Sequence, residues 1–117
     1  MELVALLSRG EGTWAQVAGV IKQGEWDSVI LIGDDFARNF KIESNVPCTF
    51  IELKSRRLVE LKQEIYEKLK GKIAGTEVAL NIASGDGKEH MALISALLSI
   101  PVGVRFTALT KEGIIML

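Results

Sequence analysis

The sequence predicts a three-layer, doubly wound α/β domain built on a mainly parallel sheet. Short apolar runs typical of buried strands alternate with longer segments whose apolar residues recur at helical spacing. Strands that alternate with helices pair in parallel through right-handed crossovers, which place helices on both faces of the sheet. With 117 residues and 48% hydrophobic side chains, the chain has the size of one domain, so we expect residues 1–117 to form it.

Six apolar, β-rich runs predict the strands. The first two are continuous and end in turns that contain glycine, as expected for strands covered on both faces of a sheet. The third and fourth are equally apolar, and the last two flank residues 110–113, which predict a hairpin turn. In chain order the predicted strands are residues 3–7, 28–32, 48–53, 78–82, 102–108 and 114–117.

Four helices are expected between the first five strands. An apolar stripe through Trp14, Val17 and Ile21 predicts the first helix, which ends at Gly24. Residues 36–46 permit a short second helix, which their two asparagines and the following proline limit. This is the weakest element of the prediction.

The third and fourth predicted helices differ in character. The third is charged and carries one apolar stripe, which indicates a helix with one buried face. The fourth is more apolar and is stopped by Pro101, so we expect it to be buried on more than one side. The stripes are Leu58, Leu61, Ile65 and Leu69 in the third helix and Met91, Ile94, Leu97 and Leu98 in the fourth. The resulting order, β-α-β-α-β-α-β-α-β-β with a six-stranded sheet and a C-terminal β-hairpin, is Rossmann-like.

Charge and composition argue against several kinds of partner. Fourteen Lys and Arg nearly balance fifteen Asp and Glu, so no net field favours duplex nucleic acid. One cysteine and one histidine are too few for a dedicated zinc site, and we expect no metal and no cofactor. No apolar stretch approaches the roughly 20 residues of a spanning helix, and no basic cluster opens the chain. We therefore expect a cytoplasmic protein without a membrane partner.

Two glycine-bearing turns predict one ligand site. Residues 8–12 follow the first strand and residues 84–88 follow the fourth, and strand order in such sheets commonly reverses between these two strands. Glycine lets the backbone approach a ligand closely, and the helix after each turn presents free N–H groups and the positive end of its dipole. An anionic or phosphodiester ligand is the expected guest.

The second turn also carries a family resemblance. Residues 80–98 resemble the signature of CARF domains, the CRISPR-associated Rossmann-fold sensors of type III systems. Asn81, Ser84, Gly85 and Lys88 match the turn that follows strand four in that family, and an alanine- and leucine-rich helix follows. The departures from the signature are Ala83, Asp86 and Gly87. The order of elements resembles that of CARF domains along the whole chain.

The resemblance implies a homodimer that binds a cyclic oligoadenylate between two facing strand-four turns, since a symmetric ring suits a two-fold interface. One hypothesis is a metal-independent ring nuclease, in which a ligand 2′-hydroxyl attacks the adjacent phosphate. Lys88 would then stabilise the developing charge and Ser8 would position the scissile phosphate. The other hypothesis is a module that only binds the ligand. The expected ligand contacts are Ser8, Arg9, Gly10, Gly12, Asn81, Ser84, Gly85, Asp86, Gly87, Lys88 and His90.

Two other functions fit parts of the sequence. Residues 10–15 match the G-x-G-x-x-G/A dinucleotide fingerprint, and Asp34 stands where a ribose-binding acid belongs, although Glu11 would place a carboxylate beside the pyrophosphate. A structural or protein-interaction domain with a degenerate site is favoured by Asp86, because its carboxylate repels phosphates. His90 fits a general acid or base, but a partly exposed polar helix residue is the commoner case.

Several residues outside the turns have plainer interpretations. Trp14 lies on an apolar helical stripe and is expected in the core. The basic residues 54–57 and the lysines of the third helix predict a solvated face. The fourth helix, together with Trp26 or Phe106, is expected to supply the dimer contact, because a small domain gains core by pairing.

Overall fold

Ten secondary-structure elements make up the part of the chain that the computed structural model describes, residues 1–8 and 13–117. The strands are β1 (Glu2–Leu7), β2 (Val29–Gly33), β3 (Cys48–Glu52), β4 (Glu77–Asn81), β5 (Gly103–Thr110) and β6 (Gly113–Met116). The helices are α1 (Trp14–Gln23), α2 (Leu58–Leu69), α3 (Gly87–Ser99) and a 3₁₀ helix (Asp35–Asn39). In this described part, no helix is both long and apolar enough to cross a bilayer.

The strands form one sheet in the order β3-β2-β1-β4-β5-β6. All neighbouring pairs are parallel except β5 and β6, which form an antiparallel hairpin with Thr110 opposite Gly113. Strand order reverses between β1 and β4, so the ligand crevice of a doubly wound sheet is expected at their carboxyl ends. The predicted Rossmann-like α/β fold with a six-stranded, mainly parallel sheet is confirmed.

Strand β1 supplies side chains to two cores because successive residues of a strand point to opposite faces. Val4 and Leu6 pack in one core with α2 and α3. Leu3, Ala5 and Leu7 pack in the other with α1 and the 3₁₀ helix. All five side chains are fully buried, which explains why the sequence of β1 is apolar without alternation.

The second predicted helix is shorter than expected and differs in type. It is the 3₁₀ helix Asp35–Asn39, and the chain from Phe40 to the start of β3 contains no helix. Phe40, Ile42 and Val46 instead lie partly buried against the α1 side of the sheet. Their apolar spacing of two and four residues serves an extended segment as well as a helix, so periodicity could not separate the two.

Helix α3 leaves part of its apolar surface uncovered. It buries one face in the core, through Ala92, Leu93, Ala96 and Leu97. Met91 and Leu98, however, are 58% and 63% exposed. The expectation that this helix is buried on more than one side is therefore wrong for the single chain.

The two aromatic residues proposed for the dimer contact behave differently. Trp26 is buried, and its indole Nε1 donates a hydrogen bond to Val20 O at 2.9 Å. The expectation that Trp26 contributes to the dimer contact is therefore wrong, because its ring is already buried in the core of its own chain. Phe106 is 37% exposed and lies on β5 beside Leu80 of β4.

Candidate functional site

A cleft of about 430 Å³ opens at the edge of the sheet where the strands end. Its walls come from the segments that follow β1, β2 and β3 and from the beginning of α3. The residues that line it are Ser8, Asp34, Asp35, Glu52, Leu53, Lys54, Ser55, Arg56, Leu61, Asp86, Lys88 and Glu89. The cleft therefore lies at the crevice that the reversal of strand order predicts.

Ser8 joins the two glycine-bearing turns. Its backbone N–H donates to Ser84 Oγ at 2.8 Å, and its hydroxyl donates to Glu89 Oε1 at 3.1 Å. Its carbonyl oxygen accepts a hydrogen bond from Trp14 Nε1 at 2.8 Å. The end of β1 is thus tied to the turn after β4, and the Ser8 side chain is held at the wall of the cleft.

The first turn of α3 is closed by its own carboxylates. Asp86 Oδ1 accepts from Glu89 N at 2.8 Å, and Glu89 Oε1 accepts from Asp86 N at 2.9 Å, which is a capping box. Such a cap satisfies backbone donors that would otherwise be available to an anion. The expected anion site at this helix start therefore already holds two carboxylates of the protein itself.

Three of the expected contact residues form hydrogen bonds within the turn. Asn81 is buried, and its Nδ2 donates to Thr107 O at 2.9 Å while its Oδ1 accepts from Ala83 N at 3.2 Å. Ser84 is 1% exposed, and its Oγ accepts the hydrogen bond from the Ser8 amide. The imidazole Nε2–H of His90 donates to Ser84 O at 2.9 Å. These contacts shape the turn, and direct contact with a ligand stays a prediction for each residue.

The two glycines of the turn have different needs. Gly85 has a φ of +105°, and a Cβ there would lie 2.4 Å from Leu6 Cδ2. Only glycine fits this position, both for its backbone and for its neighbour. Gly87 begins α3, and nothing lies within 4 Å of a Cβ added there. The turn therefore depends on its first glycine and tolerates a side chain at its second.

Two basic residues that sequence reasoning assigned to a solvated face, Lys54 and Arg56, line the cleft together with Lys88. Lys54 and Arg56 lie between β3 and α2, so their position in the cleft comes from the neighbouring strand rather than from a glycine motif. A cation directly after a strand end in a doubly wound sheet was the signal that could have found them.

The charged side chains that line the cleft differ in whether they already interact with other groups of the protein. Five of the lining residues are acidic and three are basic, so their count alone disfavours an anion. Glu52 pairs with Arg38, however, and Asp34 accepts from Phe36 N at 3.0 Å. The carboxylates of Asp86 and Glu89 are engaged in the capping box. Within residues 1–8 and 13–117, the side chains of Lys54, Arg56 and Lys88 have no hydrogen bond or ion pair to the protein.

The segment between β3 and α2 is anchored by Glu64 and Lys68 of α2. Glu64 accepts hydrogen bonds from Ser55 N at 2.8 Å, from Lys54 N at 3.0 Å and from Lys68 Nζ at 2.7 Å. Lys68 Nζ also donates to Glu52 O at 2.7 Å. Partial burial by itself raises the pKa of Glu64, but the hydrogen bonds from Lys68 and the two amides outweigh it and lower the pKa to about 2.

Three of the expected contacts, Arg9, Gly10 and Gly12, lie outside the described residues, as do the first three positions of the dinucleotide fingerprint. Elsewhere in the chain, no group of three or more His, Cys, Asp or Glu side chains is arranged to hold a metal ion.

Comparison with known proteins supports the fold and no more. No protein-family model matches the chain, and no curated protein sequence matches it. Among solved structures, the crystal structure of protein VC1899 from Vibrio cholerae is similar, with a TM-score of 0.64 at 15% sequence identity. The match covers 98% of this chain and 33% of VC1899, so this chain spans about a third of that protein.

Proposed function

We propose that the chain is a CARF-like domain that binds a cyclic oligoadenylate in type III CRISPR defence, as a homodimer. One observation carries the proposal: three cations that have no hydrogen-bond or ion-pair partner within residues 1–8 and 13–117 line a cleft at the strand-order reversal, beside the turn that resembles the CARF signature. A cyclic oligoadenylate carries one phosphodiester charge per nucleotide. Lys54, Arg56 and Lys88 can each form a charge-assisted hydrogen bond with one of those phosphates.

The acid-rich lining does not exclude this ligand. Glu52 pairs with the Arg38 guanidinium, which offsets its charge, whereas Asp86 and Glu89 accept from neutral backbone amides and keep their charges. In the described part of the chain, Lys54, Arg56 and Lys88 form no ion pair, so all three cations are available to an incoming phosphate. The balance at the cleft is therefore more favourable to an anion than the count of charges indicates.

An exposed apolar groove beside the cleft supports the homodimer. The groove has a volume of about 480 Å³ and lies between α2 and α3. Its exposed large apolar residues are Leu58, Val59, Met91 and Leu98. Met91 follows Lys88 by about one turn of α3, and Leu58 precedes Leu61 by about one turn of α2. The groove and the cleft therefore border the same two helices, and we expect a two-fold contact through the groove to bring the two clefts towards one axis.

The dimer contact can be tested by placing a charge in the groove. Val59 is 75% exposed, and Val59→Glu puts a carboxylate into an apolar contact, so we expect light scattering at micromolar concentration to show monomers. Leu117→Glu is the matched control, because Leu117 is also 75% exposed and lies outside the groove. A monomeric wild type would contradict the homodimer.

Cleavage and simple binding remain two versions of the proposal. In the ring-nuclease version, Lys88 stabilises charge on the scissile phosphate and Ser8 positions it. The Ser8 hydroxyl donates to Glu89, so it must exchange this hydrogen bond to reach a phosphate. Binding without cleavage needs no such exchange.

The capping box favours one other candidate, a structural or protein-interaction domain with a degenerate site. The Asp86 and Glu89 side chains occupy two of the backbone donors at the start of α3 that a phosphate would use. In this case the fold is kept while the cleft binds no nucleotide.

Incubation of the pure protein with cyclic tetra-adenylate and cyclic hexa-adenylate separates these functions. Linear products that are lost in Lys88→Ala support the ring nuclease, and tight binding of an intact ring supports the binding module. Lys72→Ala is the control, because Lys72 is an exposed lysine outside the cleft. No binding, together with no change in melting temperature, would overturn the proposal and favour the degenerate domain.

A further inference from the structure

We infer that the segment Lys54-Ser55-Arg56 is a second phosphate-binding wall of the cleft, and that Glu64 and Lys68 are the positioning residues that hold it. This inference rests on the proposed function and names binding residues that the resemblance does not supply. Lys54, Ser55 and Arg56 all line the cleft, together with Lys88 at the start of α3.

The wall is fixed through its backbone. The Glu64 carboxylate accepts hydrogen bonds from the consecutive backbone amides of Lys54 and Ser55. The ammonium of Lys68 bridges this carboxylate to Glu52 O at the end of β3. Three backbone positions within four residues, Glu52, Lys54 and Ser55, are therefore held by one ion pair on α2, and Arg56 follows directly after the last of them.

The ion pair is placed to act on the backbone rather than on the ligand. Glu64 and Lys68 are four residues apart and so lie on the same side of α2. The Glu64 side chain is 13% exposed, and neither residue lines the cleft. Among the described residues, every hydrogen bond that the Glu64 carboxylate accepts comes from this segment or from Lys68. Their effect on a ligand must therefore pass through Lys54 and Arg56.

Preorganisation gives this arrangement a functional consequence. A cation on a fixed backbone loses less freedom on binding a phosphate than one on a mobile loop. The planar guanidinium of Arg56 also matches two phosphate oxygens in a fixed bidentate geometry, whereas the ammonium groups of Lys54 and Lys88 act as point charges. We therefore expect Arg56 to contribute specificity for a phosphodiester and Lys54 mainly attraction.

Binding of cyclic tetra-adenylate at several salt concentrations tests the wall directly. Arg56→Ala should raise the Kd about ten-fold and lower the slope of log affinity against log salt by about 0.7. Arg57→Ala is the matched control, because Arg57 is the next cation in sequence and does not line the cleft. If Arg56→Ala and Lys54→Ala both bind the ring like wild type, with an unchanged salt slope, this segment does not bind phosphate, while the proposed function stands.

The positioning role needs a readout that mere destabilisation does not change. Glu64→Gln and Lys68→Met should raise the Kd about three- to ten-fold and lower the salt slope, although Glu64→Gln removes no cation. Lys68→Arg should restore wild-type affinity. Glu67→Gln is the control, because Glu67 is another glutamate of α2 and accepts a hydrogen bond from Gln63 Nε2 at 2.8 Å. Lower melting temperatures with an unchanged Kd and slope would overturn the positioning role.

A second probe keeps the inference testable if no cyclic oligoadenylate binds, which would sink the proposed function. Inorganic pyrophosphate is then titrated into ¹⁵N-labelled protein. Shifts of the Lys54, Ser55 and Arg56 amides that vanish in Arg56→Ala support an anion-binding wall. Absence of such shifts overturns it.

Discussion

The two helices that border the cleft begin in opposite ways. Helix α3 begins with a capping box, in which Asp86 and Glu89 satisfy each other's backbone amides. Helix α2 begins without a side-chain cap, and the segment before it contributes Lys54 and Arg56 to the cleft, neither of which has a side-chain partner among the described residues. The helix start that resembles a known anion site thus carries carboxylates, and the one without a motif carries cations. A glycine turn determines the path of the backbone, while the neighbouring charges determine what the turn can bind.

The largest effect on stability is expected from a substitution at Gly85, in the turn before α3. Gly85→Ala places a Cβ 2.4 Å from Leu6 Cδ2 at a φ of +105°, so we expect it to lower the free energy of unfolding by about 2–4 kcal/mol. Urea denaturation measures this loss. Gly87→Ala, two residues away, should change stability by less than about 1 kcal/mol because its Cβ meets nothing. Equal effects of the two substitutions would contradict the geometry of the turn.

The fold was predictable because its signals are local and repeated. Continuous apolar runs identify β1 and β2, and the stripe at Leu61, Ile65 and Leu69 identifies the buried face of α2. The segment after the 3₁₀ helix was not predictable in this way. Its three apolar residues satisfy both an extended and a helical path, and contact with the core decides between the two.

The candidate site was predictable in position but only partly in chemistry. The two glycine turns correctly indicated the carboxyl ends of β1 and β4. The capping box of Asp86 and Glu89 has a local signature, an acidic N-cap followed three residues later by a glutamate, and that signal was missed. The sequence could not show that Lys54 and Arg56 lie at the same cleft as Lys88, because that depends on how the segment after β3 packs against the start of α3. The exposure of Met91 also became visible only once the buried face of α3 was known.

The next effect concerns the anchored segment before α2 and depends on pH. Glu64→Gln should lower the free energy of unfolding by about 1–3 kcal/mol at pH 7, because hydrogen bonds to a charged carboxylate are lost. The folded pKa of Glu64, about 2, lies below its ordinary value of 4.5. The stabilisation is therefore fully present above about pH 4.5 and is lost as the pH falls towards 2.

Urea denaturation of both proteins between pH 7 and pH 3 checks this prediction. The difference in stability between wild type and Glu64→Gln should be constant above about pH 5 and should shrink below it. A difference that stays the same down to pH 3 would show that the Glu64 carboxylate is not the group that stabilises the segment.

The smallest effect is expected when a negative charge is removed from the turn before α3, which makes its charge more like that of the segment before α2. Asp86→Asn keeps an oxygen that can accept from Glu89 N and removes one negative charge from the cleft. We expect stability to change by less than about 0.5 kcal/mol and affinity for cyclic tetra-adenylate to increase about two- to five-fold. Glu25→Gln, an exposed glutamate outside the cleft, controls for net charge. Weaker binding by Asp86→Asn would mean that this carboxylate contacts the ligand favourably.

The stoichiometry of binding tests the central claim most directly. Isothermal titration of the wild-type protein with cyclic tetra-adenylate, combined with the mass of the complex by light scattering, counts rings and chains together. The account predicts one ring per two chains, with a clear loss of affinity in Lys88→Ala. One ring per single chain, or no heat of binding at any protein concentration, would contradict it.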